Sequence, residues 1–204
     1  MTTMKKRTLS ITLMIVLSIV FSMCMGVSSY ASTKSVYKPV IRAYDKIYNH
    51  NVSVYKVGMT PYKTGMEVDG YMFSSDGLMG PPTDYYPGIG YTYMDINRDG
   101  KKEIIFGNNG LRSHNPRNLN ELVIYSIWTQ KHGKAKFVKA SSYRCPLLVV
   151  GPNKLCLRAS GGYNYTLNKF YRLSGSNVKY IGKRLNGKWE VNENKRITNW
   201  KYIG

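Results

Sequence analysis

Apolar residues recur along this chain in two rhythms. Between Ser35 and His50, the residues Tyr37, Val40, Ile41, Tyr44, Ile47 and Tyr48 return at spacings of three and four. That spacing lines one face of a helix, and the plain use for such a stripe is packing on a sheet. Pro39 fits a helix only in its first turn, so the pattern predicts a helix over about residues 38–49. Downstream the rhythm shortens. Apolar, β-prone runs fall at 91–94, 104–106, 122–128, 136–140, 147–150, 154–158, 163–173 and 177–181, with Gly133, Gly151, Gly161-Gly162 and Ser174-Gly175-Ser176 between the later ones. Tyr163, Tyr165 and Leu167 alternate cleanly with Asn164, Thr166 and Asn168. Short runs at such intervals predict an antiparallel meander, and with the helix an α+β fold, mostly antiparallel β.

Two stretches break the rhythm. Residues 51–90 carry seven glycines and four prolines among scattered methionines and read as irregular, with short strands expected near 52–57 and 70–73. The tail, 183–204, is less regular and could add an edge strand or a short helix. At the other end, Lys5, Lys6 and Arg7 precede an apolar run from Ile11 to Phe21 and a small-x-small site at Ser29-Tyr30-Ala31. This is the layout of a cleaved secretory signal over 1–31, with an apolar core too short to span a bilayer. The expected organisation is therefore a leader, 1–31, and one secreted or cell-surface domain, 32–204, without a transmembrane span. Export also bears on the cysteines. With Cys24 in the leader, Cys145 and Cys156 form the only intramolecular pair left, and a hairpin through Gly151-Pro152-Asn153 could bring them together as a disulfide.

Charge narrows the partners. The formal net charge is +19, from 30 Lys and Arg against 11 Asp and Glu. No acid occurs from Leu122 to Trp189, while bases recur throughout. A run of this kind creates a positive field, for which an exported protein meets anionic envelope polymers and acidic polysaccharides. Lys134, Lys136, Arg144, Arg158, Lys169, Arg172 and Lys179 are the candidate polyanion contacts, with tyrosines such as Tyr171 and Tyr180 interleaved as stacking platforms. No dedicated nucleic-acid motif accompanies them.

The acids that remain are unevenly placed. Three of the 11 lie in Asp95-Ile96-Asn97-Arg98-Asp99-Gly100-Lys101-Lys102-Glu103. Side-chain oxygens at alternate positions, then a glycine at the sixth, suit a tight loop around a hard cation such as Ca²⁺. A helix-loop-helix calcium site is excluded, because its twelfth position needs a bidentate glutamate and here holds Phe106. The competing structural use is a hairpin loop whose Asp and Asn side chains cap backbone amides, with Lys102 or Arg98 pairing Glu103.

The pattern D-x-N-x-D-G-x-x-E between two apolar runs resembles the calcium loops of repeat-containing β-propeller proteins of the integrin α-chain type. More closely, 91–100 followed by Lys102-Glu103-Ile104-Ile105 is similar to a stretch common in small exported proteins of Gram-positive bacteria. Those tend to carry a helix before the loop and a meander with a Gly-Gly turn after it, and Ser160-Gly161-Gly162-Tyr163 matches that turn. The resemblance is sharp over 91–107 and architectural elsewhere. It implies a strand-loop-strand calcium-type site with side-chain oxygens from Asp95, Asn97 and Asp99, the backbone carbonyl of Lys101 and the carboxylate of Glu103. Arg98, Lys101 and Lys102 depart from it by placing three cations among the ligands.

Little points to catalysis. His50, His114 and His132 are scattered, and no nucleophile elbow, phosphate loop or dinucleotide fingerprint occurs. Glu67, Asp69, Asp76 and Asp84 are the acids that a hydrolase site beneath 51–90 would draw on. The sequence favours a non-catalytic binding or structural module of the bacterial cell surface. A secreted hydrolase of an extracellular polymer, or a small basic effector, is the competing class.

Overall fold

Among the described residues, nine strands make one antiparallel sheet. In the computed structural model, which describes residues 34–69, 73–78, 89–108, 123–160, 166–185 and 197–203, they are β1 (Gly90–Met94), β2 (Glu103–Asn108), β3 (Val123–Lys131), β4 (Lys134–Ala140), β5 (Leu147–Gly151), β6 (Lys154–Ser160), β7 (Thr166–Ser174), β8 (Asn177–Leu185) and β9 (Lys201–Tyr202). Their order is β8-β7-β6-β5-β3-β2-β1-β9, with β4 paired to β3 off that path. The fold is α+β and mostly antiparallel, with runs of sequential neighbours. The expected leader, 1–31, and the alternation at Tyr163 and Tyr165 lie outside the described residues.

β3 serves two neighbours along one edge. Ile124 pairs with Leu147 of β5, while 126–131 pair with β4. Ser141 stands at this fork, fully buried. Its amide donates to the Tyr125 carbonyl, its hydroxyl donates to the Ile124 carbonyl, and that hydroxyl accepts from the Leu147 amide at 2.7 Å. The backbone groups left over where the strands divide are thereby paired, as buried polar groups must be.

Each side of the sheet has its own core. Ile105, Ile124, Ile127, Val138, Leu147, Val149, Leu155 and Leu173 pack together with Ile96 on one side. On the other, Ile104, Phe106, Tyr125 and Trp128 receive the helix α1, residues 34–50, through Tyr37, Val40, Ala43, Tyr44 and Ile47. Burying an aliphatic side chain of this size contributes roughly 1.5–3 kcal/mol. The helix begins earlier than the expected residue 38, and Pro39 sits exposed inside it. The Ser35 carbonyl, which an amide at 39 would have bonded, belongs to an exposed residue at the helix start. Tyr44 is held most firmly. Its ring stacks on Phe106 at 4.0 Å, and its hydroxyl donates to the Thr64 carbonyl at 2.7 Å and lies 2.6 Å from Ser126 Oγ. Since the phenol proton is committed to Thr64, Ser126 is the donor of the second bond, and its oxygen in turn accepts from Trp128 Nε1 at 2.9 Å.

The segment after α1 is not the strand expected at 52–57. It forms a 3-10 turn at Val54–Val57, a single α-turn α2 at Pro61–Thr64 and a 3-10 turn at Met66–Asp69. The local chemistry explains the difference. Thr60 accepts the Lys63 amide on its side chain, Pro61 occupies the first helical position, and Gly58 and Gly65 end their turns in the left-handed region. Of the strand expected at 70–73, residues 70–72 lie outside the described residues, and Phe73 makes a lone bridge.

No disulfide joins Cys145 and Cys156. Cys145 closes a tight turn against Ser142, whereas Cys156 pairs in register with Leu148. Cys145 thus lies in the turn before β5, three residues short of the position that faces Cys156.

Gly65 supplies a test of this packing. A Cβ there would stand 1.7 Å from the Tyr125 carbonyl oxygen, while a Cβ at Gly58, with a similar φ, meets nothing within 4 Å. Gly58→Ala is expected to cost about 1 kcal/mol in urea unfolding, from backbone strain alone. Gly65→Ala should cost at least about 2 kcal/mol more, because the clash is with backbone.

Candidate cation loop and basic sheet face

The β1–β2 connection, 95–102, is anchored before it is decorated. Ile96 enters the core, its carbonyl accepts the Asn153 amide at 3.0 Å, and the Asn153 carbonyl accepts the Leu173 amide at 3.0 Å. Asn97 Nδ2 donates to the Gly175 carbonyl at 3.1 Å. One loop thus ties down the β5–β6 and β7–β8 turns. Tyr37 fastens its other end from α1, donating to the Lys102 carbonyl at 2.9 Å. Burial, with Glu103 as the next cause, pushes the Tyr37 phenol above its ordinary range and keeps it a donor.

Within the loop, side-chain oxygens gather on three consecutive amides. Asp99 N donates to Asp95 Oδ1 at 3.1 Å and Asn97 Oδ1 at 3.0 Å, Gly100 N to Asp95 Oδ2 at 2.9 Å, and Lys101 N to Asp99 Oδ1 at 2.9 Å. Asn97 Nδ2 also donates to Asp99 Oδ2 at 3.0 Å. The alternating spacing thus collects Asp95, Asn97 and Asp99 around one concave rim. Lys101 is exposed beside it.

Glu103 points elsewhere. It is fully buried, with Oε2 accepting the Ile96 amide at 2.9 Å and Oε1 accepting the Thr129 hydroxyl at 3.0 Å. Its oxygens thus tie the loop backbone to β3. Burial pushes its carboxyl up to about 7; the two hydrogen bonds oppose that rise, and Asp99 and Asp95 nearby add to it. Among the described residues no cluster of three or more His, Cys, Asp or Glu side chains is arranged to hold a metal ion. The oxygens of Asp95, Asn97 and Asp99 therefore cap amides of the loop, while Glu103 braces it from inside.

The seven basic candidates are divided by the register of the sheet. Arg158, Arg172 and Lys179 share one face of β6–β8, together with Lys154 and Arg184. Lys169 lies on the opposite face, across from Lys183 and beside Tyr171 and Tyr180, whose rings meet edge-on at 5.7 Å. Lys136 is structural, donating to the Ser176 carbonyl at 2.7 Å. Lys134 begins β4, and Arg144 stacks on Tyr143 in the turn before β5. At the β8 edge a groove of about 240 Å³ is lined by Lys154, Phe170 and Arg184 together with Ile181, Gly182 and Lys183, and Lys154 Nζ lies 4.4 Å from the Phe170 ring centre. Asn168 is buried on the Arg158 face, with neither amide atom hydrogen-bonded. Lys154, Arg184 and Phe170 were visible as residue types, but only the strand register joins them to Arg158 and Arg172. Of the acids that a hydrolase would use, Asp76 is exposed in a turn and Glu67 lies on the 3-10 turn after α2, whereas the Asp69 side chain and Asp84 are outside the described residues.

No protein-family model matches the chain, and no curated protein or solved structure matches it. Among the described residues no helix is long and apolar enough to cross a membrane.

The buried carboxyl gives a pH test. Above about pH 4.5 an unfolded Glu103 releases its proton, whereas the folded protein keeps it until about pH 7. Unfolding therefore releases a proton in that window, and stability falls as pH rises through it, by on the order of 3 kcal/mol. Glu103→Gln keeps an acceptor for Ile96 and offers a donor to Thr129. In chelator its unfolding free energy should stay nearly flat from pH 5 to 7.5, while that of the parent declines.

Proposed function

We propose that the protein is a non-catalytic binding module of the bacterial cell surface, reached through export, whose basic sheet face holds an anionic envelope polymer or acidic polysaccharide. The observation that carries this reading is the convergence of Lys154, Arg158, Arg172, Lys179 and Arg184 on one face around Phe170 and the buried, unbonded Asn168 amide. An anionic sugar offers carboxylate or phosphate oxygens to the exposed bases of this face. Binding should be salt-dependent, because exposed charge contacts are screened within about 8–10 Å at ordinary ionic strength. Arg172→Gln/Lys179→Gln is expected to weaken binding to polygalacturonate several-fold and to flatten its salt dependence, read by titration at two salt concentrations. Equal affinity of parent and variant would count against the face.

In this proposal the Asp95–Glu103 loop is a Ca²⁺-type brace. Asp95, Asn97 and Asp99 would supply side-chain oxygens and Lys101 its carbonyl, while Glu103 keeps the loop closed from behind. The resemblance to integrin-type loops supports this, as does the gathering of the three side chains on one rim. The cation would stiffen the turns that position β6–β8. Calcium at one hundred times its dissociation constant adds about 2.7 kcal/mol of stability. A melting-temperature rise in the parent that is lost in Asp95→Ala/Asp99→Ala is the expected outcome. No rise at millimolar Ca²⁺ would leave the loop a capped turn.

A further inference from the structure

A second cationic site lies on α1, on the side turned away from the sheet. Lys38, Arg42 and Lys46 recur every four residues and, with Lys56 from the Val54–Val57 turn, line a groove of about 380 Å³. Ser35, Pro39, Ala43 and Val57 complete its wall. Among the described residues that line it there is no acid and no aromatic. Asp45 lies on the same helix but is engaged with Asn49 and His50, and Asp76 reaches Lys56 only through its field.

We propose that this groove binds a linear, acyclic phosphodiester chain of the polyol-phosphate kind. Four residues of helix rise about 6 Å, so Lys38, Arg42 and Lys46 present three charges in a straight row about 12 Å long. A flexible chain with one charge per short repeat can meet each of them. Like charges four residues apart destabilise a helix, and here two such pairs follow each other, with the acid between them, Asp45, engaged by Asn49 and His50; a bound polyanion removes that repulsion. The walls select against the other polyanions. Nucleobases and sugar rings are held by aromatic platforms, and among the described residues the apolar wall of this groove is Pro39, Ala43 and Val57. Arg42 can take two phosphate oxygens in its fork, while the lysines act as point charges that tolerate a moving chain. The site is separate from the β6–β8 face, so the two readings can fail independently.

The test uses the full chain and a glycerol-phosphate hexamer, with polygalacturonate and phosphatidylglycerol vesicles as comparison probes. Lys38→Gln/Arg42→Gln/Lys46→Gln is expected to weaken hexamer binding about tenfold or more. It should also reduce the slope of log affinity against log salt by about 2, at about 0.7 per lost phosphate contact. Its melting temperature should equal or exceed that of the parent, because repulsion has been removed, and its affinity for polygalacturonate should be unchanged. Arg172→Gln/Lys179→Gln should leave hexamer binding intact. Loss of hexamer binding only in the sheet variant would overturn the groove while leaving the sheet-face reading. Hexamer binding unaffected by either variant would also overturn it. Dependence of vesicle binding, but not hexamer binding, on the three helix residues would make a lipid surface the occupant and overturn the proposal.

Discussion

The hydroxyl of Tyr44 is the point on which the α1 side of the molecule depends. It is a single buried polar atom joining three segments distant in sequence: the helix, the end of α2 and the middle of β3. The network is closed, because Tyr44 donates to Thr64, Ser126 donates to Tyr44, and Trp128 donates to Ser126. Breaking one member leaves the others buried without partners, a loss of about 1–3 kcal/mol. The same bond fixes how α1 is rotated. With Tyr44 turned inward, Tyr37, Val40 and Ile47 follow it into the core, and Lys38, Arg42 and Lys46 are left on the groove side.

Much of this was legible from periodicity. The spacing of Tyr37, Val40, Tyr44 and Ile47 marks the buried face of α1, and the strand-like runs fall within the observed strands where those are described. What periodicity could not supply was long-range register. That Arg158 and Arg172 share a face while Lys169 does not follows from pairings between β6, β7 and β8, and a bulge between Phe170 and Tyr171 shifts the count again. The error at 52–57 has a local cause: valines suggested a strand, while the Thr60-Pro61 start and the glycines at 58 and 65 were the better signal for short helical turns. The loop was conspicuous by its acids, but the inward turn of Glu103 was not, because its hydroxyl partner Thr129 is 26 residues away. The cysteines misled through proximity in sequence, since a hairpin aligns residues by register and Cys156 is aligned with Leu148.

Electrostatics and architecture are joined at the β1–β2 loop. Few carboxylates are available in so basic a chain, and several are concentrated where three turns meet. Asp95 and Asp99 accept the open amides of the loop, while Glu103, its carboxyl raised to about 7 by burial, spans from Ile96 to β3. The β5–β6 and β7–β8 turns then hang from Ile96 and Asn97. A basic hairpin pair such as β7–β8 repels itself, and its attachment to this acidic corner supplies an opposing field close to where the turns gather.

The fork at Ser141 has a consequence for how the chain reaches this state. β3 and β4 are joined by the two residues His132 and Gly133, so their pairing closes over a short loop and belongs to the microsecond events of folding. β5 takes only the part of the β3 edge that β4 leaves, at Ile124, and its pairing spans a longer stretch of chain. The local hairpin therefore forms first and defines the berth for the second neighbour, with Ser141 as the stop between them. The order of assembly is written into the way one strand edge is divided.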